Sequence, residues 1–171
     1  MSSTVTKSVD VKAPVRAVYN QWTQFEEFPR FMEGVEEVRQ ISEKRLHWRA
    51  KVGGHVKEWE ADILSQVPDQ RVEWKNATGA HNAGVVDFLP NEDGTTRVTA
   101  IIAYEPENWV ETVGDVLGFM GRRVQGDLDR FKAFVEANGS ETGAWRGEIQ
   151  DGEVKKGDSG GAAGSASGAQ L

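Results

Sequence analysis

Residues 45–62 constrain this chain most, because two alternating segments there flank a pair of glycines: RLHWRAKV, GG, HVKEWEAD. Alternation of apolar and charged residues is the pattern of a half-buried strand, and a Gly-Gly pair is a hairpin signal. If Val52 pairs with His55, counting places Trp48 opposite Trp59 on the inner face. The outer face then sets cations against carboxylates, which is mildly stabilising: Arg49 with Glu58, His47 with Glu60, and Arg45 with Asp62. Because one register satisfies both faces, the segment predicts an antiparallel hairpin in this register.

The remaining patterns predict an α+β domain. Period-two alternation recurs in RVEWKNAT, AGVVDFLP and TRVTAIIAYEP, and a first strand lies within TVTKSVDVKAP. Pro14 then begins an amphipathic helix, and Pro29 breaks or restarts it. Pro106 begins a long helix that Asn138 and Gly139 end. The order of one strand, two short helices, several antiparallel strands and a long helix predicts a final helix packed across a curved sheet.

The long helix carries more glycine than helices usually accept. Each interior glycine costs a helix roughly 0.5–1 kcal/mol relative to alanine. At about 100° per residue, Gly114, Gly118 and Gly121 lie together along one flank of the apolar stripe, whereas Gly126 falls on the far side. Spacing alone leaves two interpretations open: the flank packs closely against a strand or loop, or it leaves a cavity beneath the helix.

Composition argues against several classes of function. The chain has 171 residues, a net charge of −7 and no cysteine. Negative charge without a basic patch argues against a nucleic-acid partner, and the lack of thiols removes thiolate sites and cysteine nucleophiles. The three histidines share no metal-binding spacing, so we expect neither a metal nor a cofactor. No apolar run reaches the ~18 residues of a membrane span, and the start MSSTVTKSVDV has no secretory h-region. We therefore expect a cytoplasmic protein, of open oligomeric state.

The composition changes after Gly139. The last fifteen residues, GDSGGAAGSASGAQL, are mostly small and polar, and such a segment cannot bury enough apolar area to become ordered. We therefore predict a folded domain at residues 1–139 and a flexible tail at residues 140–171. Trp145 is the one large aromatic residue in this tail.

A succession of segments resembles a known family: VDVKAPVRAVYNQWTQFEEFPRFMEGVEEV, WRAKVGG, EWEADILSQVPDQRVEWK, GVVDF and GTTRVTAIIAYEP. They resemble the polyketide cyclase/dehydrase and lipid transport branch of the START-like superfamily, to which coenzyme Q-binding START proteins belong. The resemblance covers roughly residues 4–139. It implies a helix-grip fold, in which a curved antiparallel sheet wraps around a long C-terminal helix and a hydrophobic ligand lies between them. It thereby favours the cavity interpretation of the helix glycines.

The candidate ligand site combines an apolar wall with polar anchors, which is typical of small-molecule sites. Core and pocket wall use the same residue types, and the resemblance favours a pocket for this set: Phe31, Met32, Trp48, Trp59, Trp74, Phe88, Tyr104, Gly114, Gly118, Met120 and Gly121. Asn76, His81 and Asn82 are candidate polar anchors, the last two in a loop that closes over the cavity mouth.

The leading hypothesis is the binding, and possible transport, of a small hydrophobic molecule such as a lipid, a quinone or a polyketide-like compound. The alternative is a polyketide aromatase/cyclase or dehydrase, which needs a group that moves a proton or polarises a carbonyl. Aromatase/cyclases of the resembling family often place a pocket tyrosine after the Phe-Pro pair, where this chain has Phe31, and polar groups on an inner strand where it has Trp59, Ala61 and Ile63. A third hypothesis is an interaction module with a filled core.

Overall fold

A computed structural model describes residues 3–52, 54–79, 81–105 and 113–157. The strands form one antiparallel sheet in the order β1-β7-β6-β5-β4-β3-β2, with a small hairpin, β8 and β9, attached to β4. The predicted α+β helix-grip architecture is confirmed. The elements in chain order are β1 (Ser3–Val11), α1 (Val15–Trp22), a 3-10 helix (Phe25–Arg30), β2 (Val35–Ser42), β3 (Arg45–Val52), β4 (His55–Val67), β5 (Arg71–Asn76), β6 (His81–Pro90), β7 (Thr96–Glu105), α2 (Val113–Asn138), β8 (Glu148–Gln150) and β9 (Glu153–Lys156).

The register of the β3–β4 hairpin is the predicted one. Val52 lies opposite His55 and Trp48 lies opposite Trp59, and the three charged pairs of the outer face also match. The indole rings of Trp48 and Trp59 stack with 5.8 Å between centroids and 7° between planes. A slip by one residue would move both tryptophans to the charged face, which is why the alternation fixes the register.

One half of the inner face is filled by aromatic side chains. Trp22 of α1 lies 5.0 Å from Phe131 of α2 between ring centroids, and Phe31 lies 5.2 Å from the same ring. All three side chains are buried, as is Phe88 of β6, which contacts Trp22. Burial of each such side chain is worth roughly 1.5–3 kcal/mol. This cluster holds the second half of α2 against the sheet.

The strand β2 was not predicted, because it is an edge strand with little alternation. Among its eight residues only Val38 is buried. It ends the strand order of the sheet, so only one of its edges is paired. An edge strand with one buried side chain leaves almost no period-two signal in the sequence.

The segment after α2 belongs to the folded unit, which corrects the predicted boundary at residue 139. Gly139 ends α2 with a φ of +76°, as the sequence indicated. The chain then forms β8, whose Ile149 pairs with Gln66 of β4 and is fully buried. The predicted tail is therefore folded up to Gly157, and residues 158–171 lie outside the described residues.

This return segment, residues 140–157, explains why α1 buries polar side chains. Asn20, Gln21 and Thr23 are all buried, although they are polar. Their hydrogen bonds lead to the return segment: Arg146 Nη1 donates to Asn20 Oδ1 (2.6 Å), Thr142 N donates to Gln21 Oε1 (2.9 Å), and Trp145 N donates to Thr23 Oγ1 (3.0 Å). Buried polar groups need such partners, so this face of α1 is built to be covered.

Gly84 of β6 positions a tryptophan on the inner face. It lies opposite Trp74 of β5, and a Cβ at this position would stand 2.7 Å from the indole ring and 2.8 Å from the Ile101 carbonyl oxygen. The missing side chain therefore lets the ring of Trp74 lie across β6. There Trp74 Nε1 donates a hydrogen bond to Asn82 Oδ1 at 3.3 Å.

The glycine flank of α2 faces β1. Gly121 is buried, and a Cβ there would lie 3.3 Å from Lys7 Cε, which fits the close-packing interpretation. Gly118 is exposed, and a Cβ there would have only Arg122 Nη1 within 4 Å of it, at 3.5 Å. Gly114 lies in the first turn of α2, where the side-chain surroundings are outside the described residues.

Truncation after Gly139 should destabilise the fold. It removes the buried Ile149 side chain, worth roughly 1.5–3 kcal/mol, and the partners of three buried polar side chains. We expect the free energy of unfolding to fall by more than about 2 kcal/mol in chemical denaturation. Truncation after Gly157 is the matched control and should change it by less than about 0.5 kcal/mol, since a Gly/Ala/Ser-rich segment builds no core. If the variant truncated after Gly139 were as stable as the full chain, the docking of the return segment would be contradicted.

Two Gly→Ala substitutions should have opposite effects. Gly84→Ala forces its methyl group into the Trp74 ring and a backbone carbonyl, so we expect a loss of about 1–3 kcal/mol in the free energy of unfolding. Gly118→Ala adds a methyl group in open space within a helix and should raise stability by up to about 1 kcal/mol. Thermal and urea unfolding of both variants measure the difference. A neutral Gly84→Ala variant would show that Trp74 does not depend on this close approach.

Candidate functional site

The side chains on the inner face of the sheet become partly exposed toward the end of the sheet at which β7 ends. Seven residues on neighbouring strands share the inner phase there and are half-buried. We call this set the tryptophan wall: Trp48, Trp59, Trp74, Asn76, Asn82, Ile102 and Tyr104. It continues the packed core, since Phe28 contacts Trp48 at 5.7 Å between ring centroids. The site is thus an apolar surface with amides and a phenol at one end.

Asn82 is the polar group of the wall whose orientation the structure explains. Its Oδ1 accepts the hydrogen bond from Trp74 Nε1, and an indole N–H can only donate. The amide nitrogen therefore points away from the indole nitrogen. Among the described residues, Asn82 Nδ2 has no hydrogen-bond partner, so its N–H groups remain able to donate to another acceptor.

His81 and Asn82 begin β6 and do not lie in a loop, which corrects their predicted placement. His81 pairs with Glu105 and Asn82 pairs with Tyr104, because β6 starts immediately after the turn that follows Asn76. Neighbouring residues of a strand face opposite sides. Asn82 accordingly shares the inner face with the tryptophans, whereas His81 is exposed on the outer phase.

Several other candidate residues lie elsewhere. Phe31 and Phe88 are in the packed half of the interior, each less than 5% exposed. Met32 lines an open groove of about 450 Å³ beside the 3-10 helix and β2. Met120 of α2 is half-buried and packs against the core cluster. Ile102 belongs to the wall but was not singled out from the sequence, since its alternation resembled that of any core strand.

The alternating carboxylates of β4 form an ion-pair ladder on the outer face. Arg45 Nε donates to Asp62 Oδ1 at 2.7 Å, and Arg45 Nη1 donates to Glu60 at 3.2 Å. His47 Nε2 lies 2.8 Å from Glu58 Oε1. The hydrogen bond from Arg45 holds the pKa of Asp62 below its ordinary value, and that from His47 does the same for Glu58. Carboxyl groups that are easier to ionise, on the solvent face, do not suit a general acid.

The glycine flank of α2 borders an open groove of about 650 Å³ between α2 and β1. Gly118 and Gly121 line it, and Gly126 lines it as well, although its helical angle suggested the far side. On the strand side the groove is lined by residues 4–7, which include Lys7. The structure thus places Gly118 and Gly121 at this groove, apart from the candidate residues of the tryptophan wall.

The described wall offers little to proton-transfer chemistry. Ala61 and Ile63, at the positions of the inner strand where the resembling cyclases carry polar groups, are buried and apolar. The polar side chains of the wall are Asn76, Asn82 and Tyr104. Amide groups bind and orient by hydrogen bonding but do not exchange protons near neutral pH.

Among the described residues, no helix is long and apolar enough to cross a membrane.

Comparison with solved structures shows the same fold. A START superfamily protein from Mycobacterium smegmatis matches with a TM-score of 0.72 at 12% identity, covering 79% of this chain and 98% of the other. The Zhui aromatase/cyclase from Streptomyces sp. R1128 matches with a TM-score of 0.69 at 13% identity, covering 84% of this chain and 99% of the other. At such identities the likeness concerns the fold alone.

Sequence comparison shows the family. An uncharacterized 17.2 kDa protein from the melC2-rnhH intergenic region of Streptomyces lincolnensis is 47% identical over 148 residues, which cover 86% of this chain and 99% of that protein. Residues 11–133 match the sequence profile of the family described as polyketide cyclase/dehydrase and lipid transport. The match spans β1 to α2 and so includes every strand of the tryptophan wall. The chain therefore belongs to the polyketide cyclase/dehydrase and lipid transport family, and it has the helix-grip fold.

Proposed function

We propose that the protein binds a small hydrophobic molecule that carries a carbonyl oxygen, between the tryptophan wall and α2. Quinones and polyketide-like compounds have this chemistry. The observation that carries the proposal is the amide nitrogen of Asn82, which has no hydrogen-bond partner among the described residues and lies on the same face as three half-buried indole rings. A role in transport follows if the molecule is released unchanged.

The apolar part of the wall supports a flat hydrophobic ligand. Trp48 and Trp59 stack in parallel, and the ring of Trp74 lies against the backbone of Gly84. The wall therefore presents broad ring surfaces, which pack well against another planar or aliphatic group. Each indole is half-buried, so a ligand that covered the remaining exposed area would gain roughly 25 cal/mol for each Å² of apolar surface removed from water.

The polar part of the wall supports an oxygen acceptor on the ligand. Trp74 Nε1 donates a hydrogen bond to Asn82 Oδ1. A flip of the amide group would break this hydrogen bond and place the amide N–H groups next to the indole N–H, which is also a donor. The amide nitrogen is thereby fixed as a donor before any ligand binds. A fixed donor at the edge of an apolar surface favours a molecule with a carbonyl group over a plain hydrocarbon, because preorganisation reduces the entropy lost on binding.

Binding is better supported than cyclase or dehydrase activity. The family description includes both enzymes and lipid transport. Cyclisation of a polyketide chain requires proton transfer at carbon and oxygen, and among the described wall residues only Tyr104 carries an exchangeable acid. Phe31, at the position where the resembling cyclases often have a tyrosine, is buried, and its ring packs against other aromatic rings.

A quinone titration tests the position of the site. Addition of a naphthoquinone with a short alkyl chain should quench tryptophan emission saturably in the full chain, because the wall contributes three indoles. Trp59→Phe should reduce the quenched fraction, since Trp59 is the outermost ring of the stacked pair. Trp145→Phe is the matched control, because Trp145 lies in the return segment over α1, and it should not reduce the quenched fraction, since it removes an emitter that the ligand does not quench. Equal quenching in the two variants would place the ligand elsewhere.

The anchoring role of Asn82 is tested with a pair of ligands. Asn82→Leu keeps the size of the side chain but removes the N–H donors. Calorimetry should show about tenfold weaker binding of the alkylnaphthoquinone, which corresponds to the loss of one hydrogen bond. Binding of the matching alkylnaphthalene, which lacks the carbonyl groups, should stay within about twofold. An equal loss for both ligands would mean that Asn82 only shapes the wall.

A further inference from the structure

We propose a second binding site, for an anionic oxygen group such as a phosphate or a carboxylate, in the groove between β1 and α2. Lys7 and Arg122 are the residues that hold the anion. This site lies on the flank of α2 that faces β1, and its function does not depend on that of the tryptophan wall.

Lys7 occupies a position where the strand pattern calls for an apolar residue. It shares the inner phase of β1 with Val5, Val9 and Val11, and it is half-buried beneath α2. A half-buried ammonium group loses hydration, and a neighbouring charge of opposite sign normally offsets that loss. Among the described residues, however, Lys7 has neither a hydrogen-bond nor an ion-pair partner.

Two cations on the same helix, Arg130 and Lys132, have partners close by. Lys132 Nζ lies 2.6 Å from Glu136 and 2.9 Å from the Asp10 carbonyl oxygen. Arg130 donates to Asp127 at 2.6 Å. Arg122 resembles Lys7, because it too has no hydrogen-bond or ion-pair partner among the described residues. Both Lys7 and Arg122 line the groove, so two cations without a partner among the described residues face the same space.

The two cationic groups line the same groove beside neighbouring positions of the helix. Lys7 Nζ lies 3.7 Å from the position that a Cβ of Gly121 would take, and Arg122 Nη1 lies 3.5 Å from the corresponding position at Gly118. Residues three apart on a helix have Cβ positions about 5–6 Å from each other, so the two groups are at most about 13 Å apart. Both side chains are long, and an oxyanion between them is within reach of each.

The groove has room for such a ligand because three of the helix residues that line it are glycines. Its volume is about 650 Å³, and Gly118, Gly121 and Gly126 form much of its helical wall. Asp129 is a carboxylate that lines the same groove, and its Oδ1 accepts a hydrogen bond from Gln125 Nε2 at 3.1 Å. Asp129 is seven residues from Arg122, about 10 Å along the helix, so it marks the far end of the groove.

Nuclear magnetic resonance on the full chain tests the site. The amide signals of Thr6, Gly118 and Gly121 should shift saturably when sodium phosphate or sodium octanoate replaces chloride at constant ionic strength. Phosphate binding without octanoate binding would identify a phosphate site, and the reverse would identify a carboxylate site. The absence of a saturable shift with either anion would overturn the proposal.

Charge variants show whether the two cations hold the anion. Lys7→Met and Arg122→Gln should each weaken binding at least fivefold. Lys75→Met and Arg16→Gln are matched controls on exposed positions far from the groove, and they should leave the affinity unchanged. An equal loss in the control variants would mean that the anion responds only to net charge and would contradict the site.

A carboxylate built into the groove gives an independent test. Gly118→Glu places a negative charge four residues before Arg122, where it pairs with the guanidinium and supports the helix. Anion binding should fall at least tenfold while the fold is retained in thermal melting. Gly118→Gln fills the same space without the charge and should weaken binding less. Equal effects of the two substitutions would show that volume alone, and not the cations, governs the groove.

Discussion

The aromatic contacts of Phe131 determine where this fold is filled and where it is open. Its ring touches Trp22 and Phe31, so the second half of α2 is fixed to α1 and to the 3-10 helix. These large side chains occupy only one half of the inner sheet face. The other half carries partly exposed indoles and amides, and the 3-10 helix contacts it through Phe28 at Trp48. The site is therefore a consequence of an asymmetric core.

The return segment stabilises this arrangement from outside. Arg146 is only 10% exposed, lies 2.8 Å from Asp69, and stands 5.6 Å over the ring of Tyr19. Burial raises the pKa of Tyr19, so its hydroxyl stays neutral beside the guanidinium. Loss of Arg146 would remove the ion pair with Asp69, whose side chain is 33% exposed, and the hydrogen bond to the buried side chain of Asn20. The family profile ends at residue 133, so this stabilising element lies beyond the part of the chain that the profile matches.

The sequence revealed the features that repeat along the chain, and it did not reveal those that depend on distant contacts. The hairpin register followed from local alternation on two faces, which no tertiary contact had to supply. The return segment gave no such signal, since the burial of Ile149 depends on β4, about 80 residues earlier. Likewise, Phe31 and Trp59 look alike in sequence. Only the placement of the 3-10 helix decides that Phe31 belongs to the core and Trp59 to the wall.

The glycines of α2 serve two purposes that the helical wheel could not separate. Gly121 is buried against Lys7, so a side chain there would displace a neighbour, and close packing accounts for this glycine. Gly118 has open space around it, and any larger residue would fit. Alanine there would make the helix more stable by up to about 1 kcal/mol, so stability does not account for glycine at this position. The space that Gly118 leaves open belongs to the groove of Lys7 and Arg122, which have no partner among the described residues, and the proposed anion in that groove would account for this glycine.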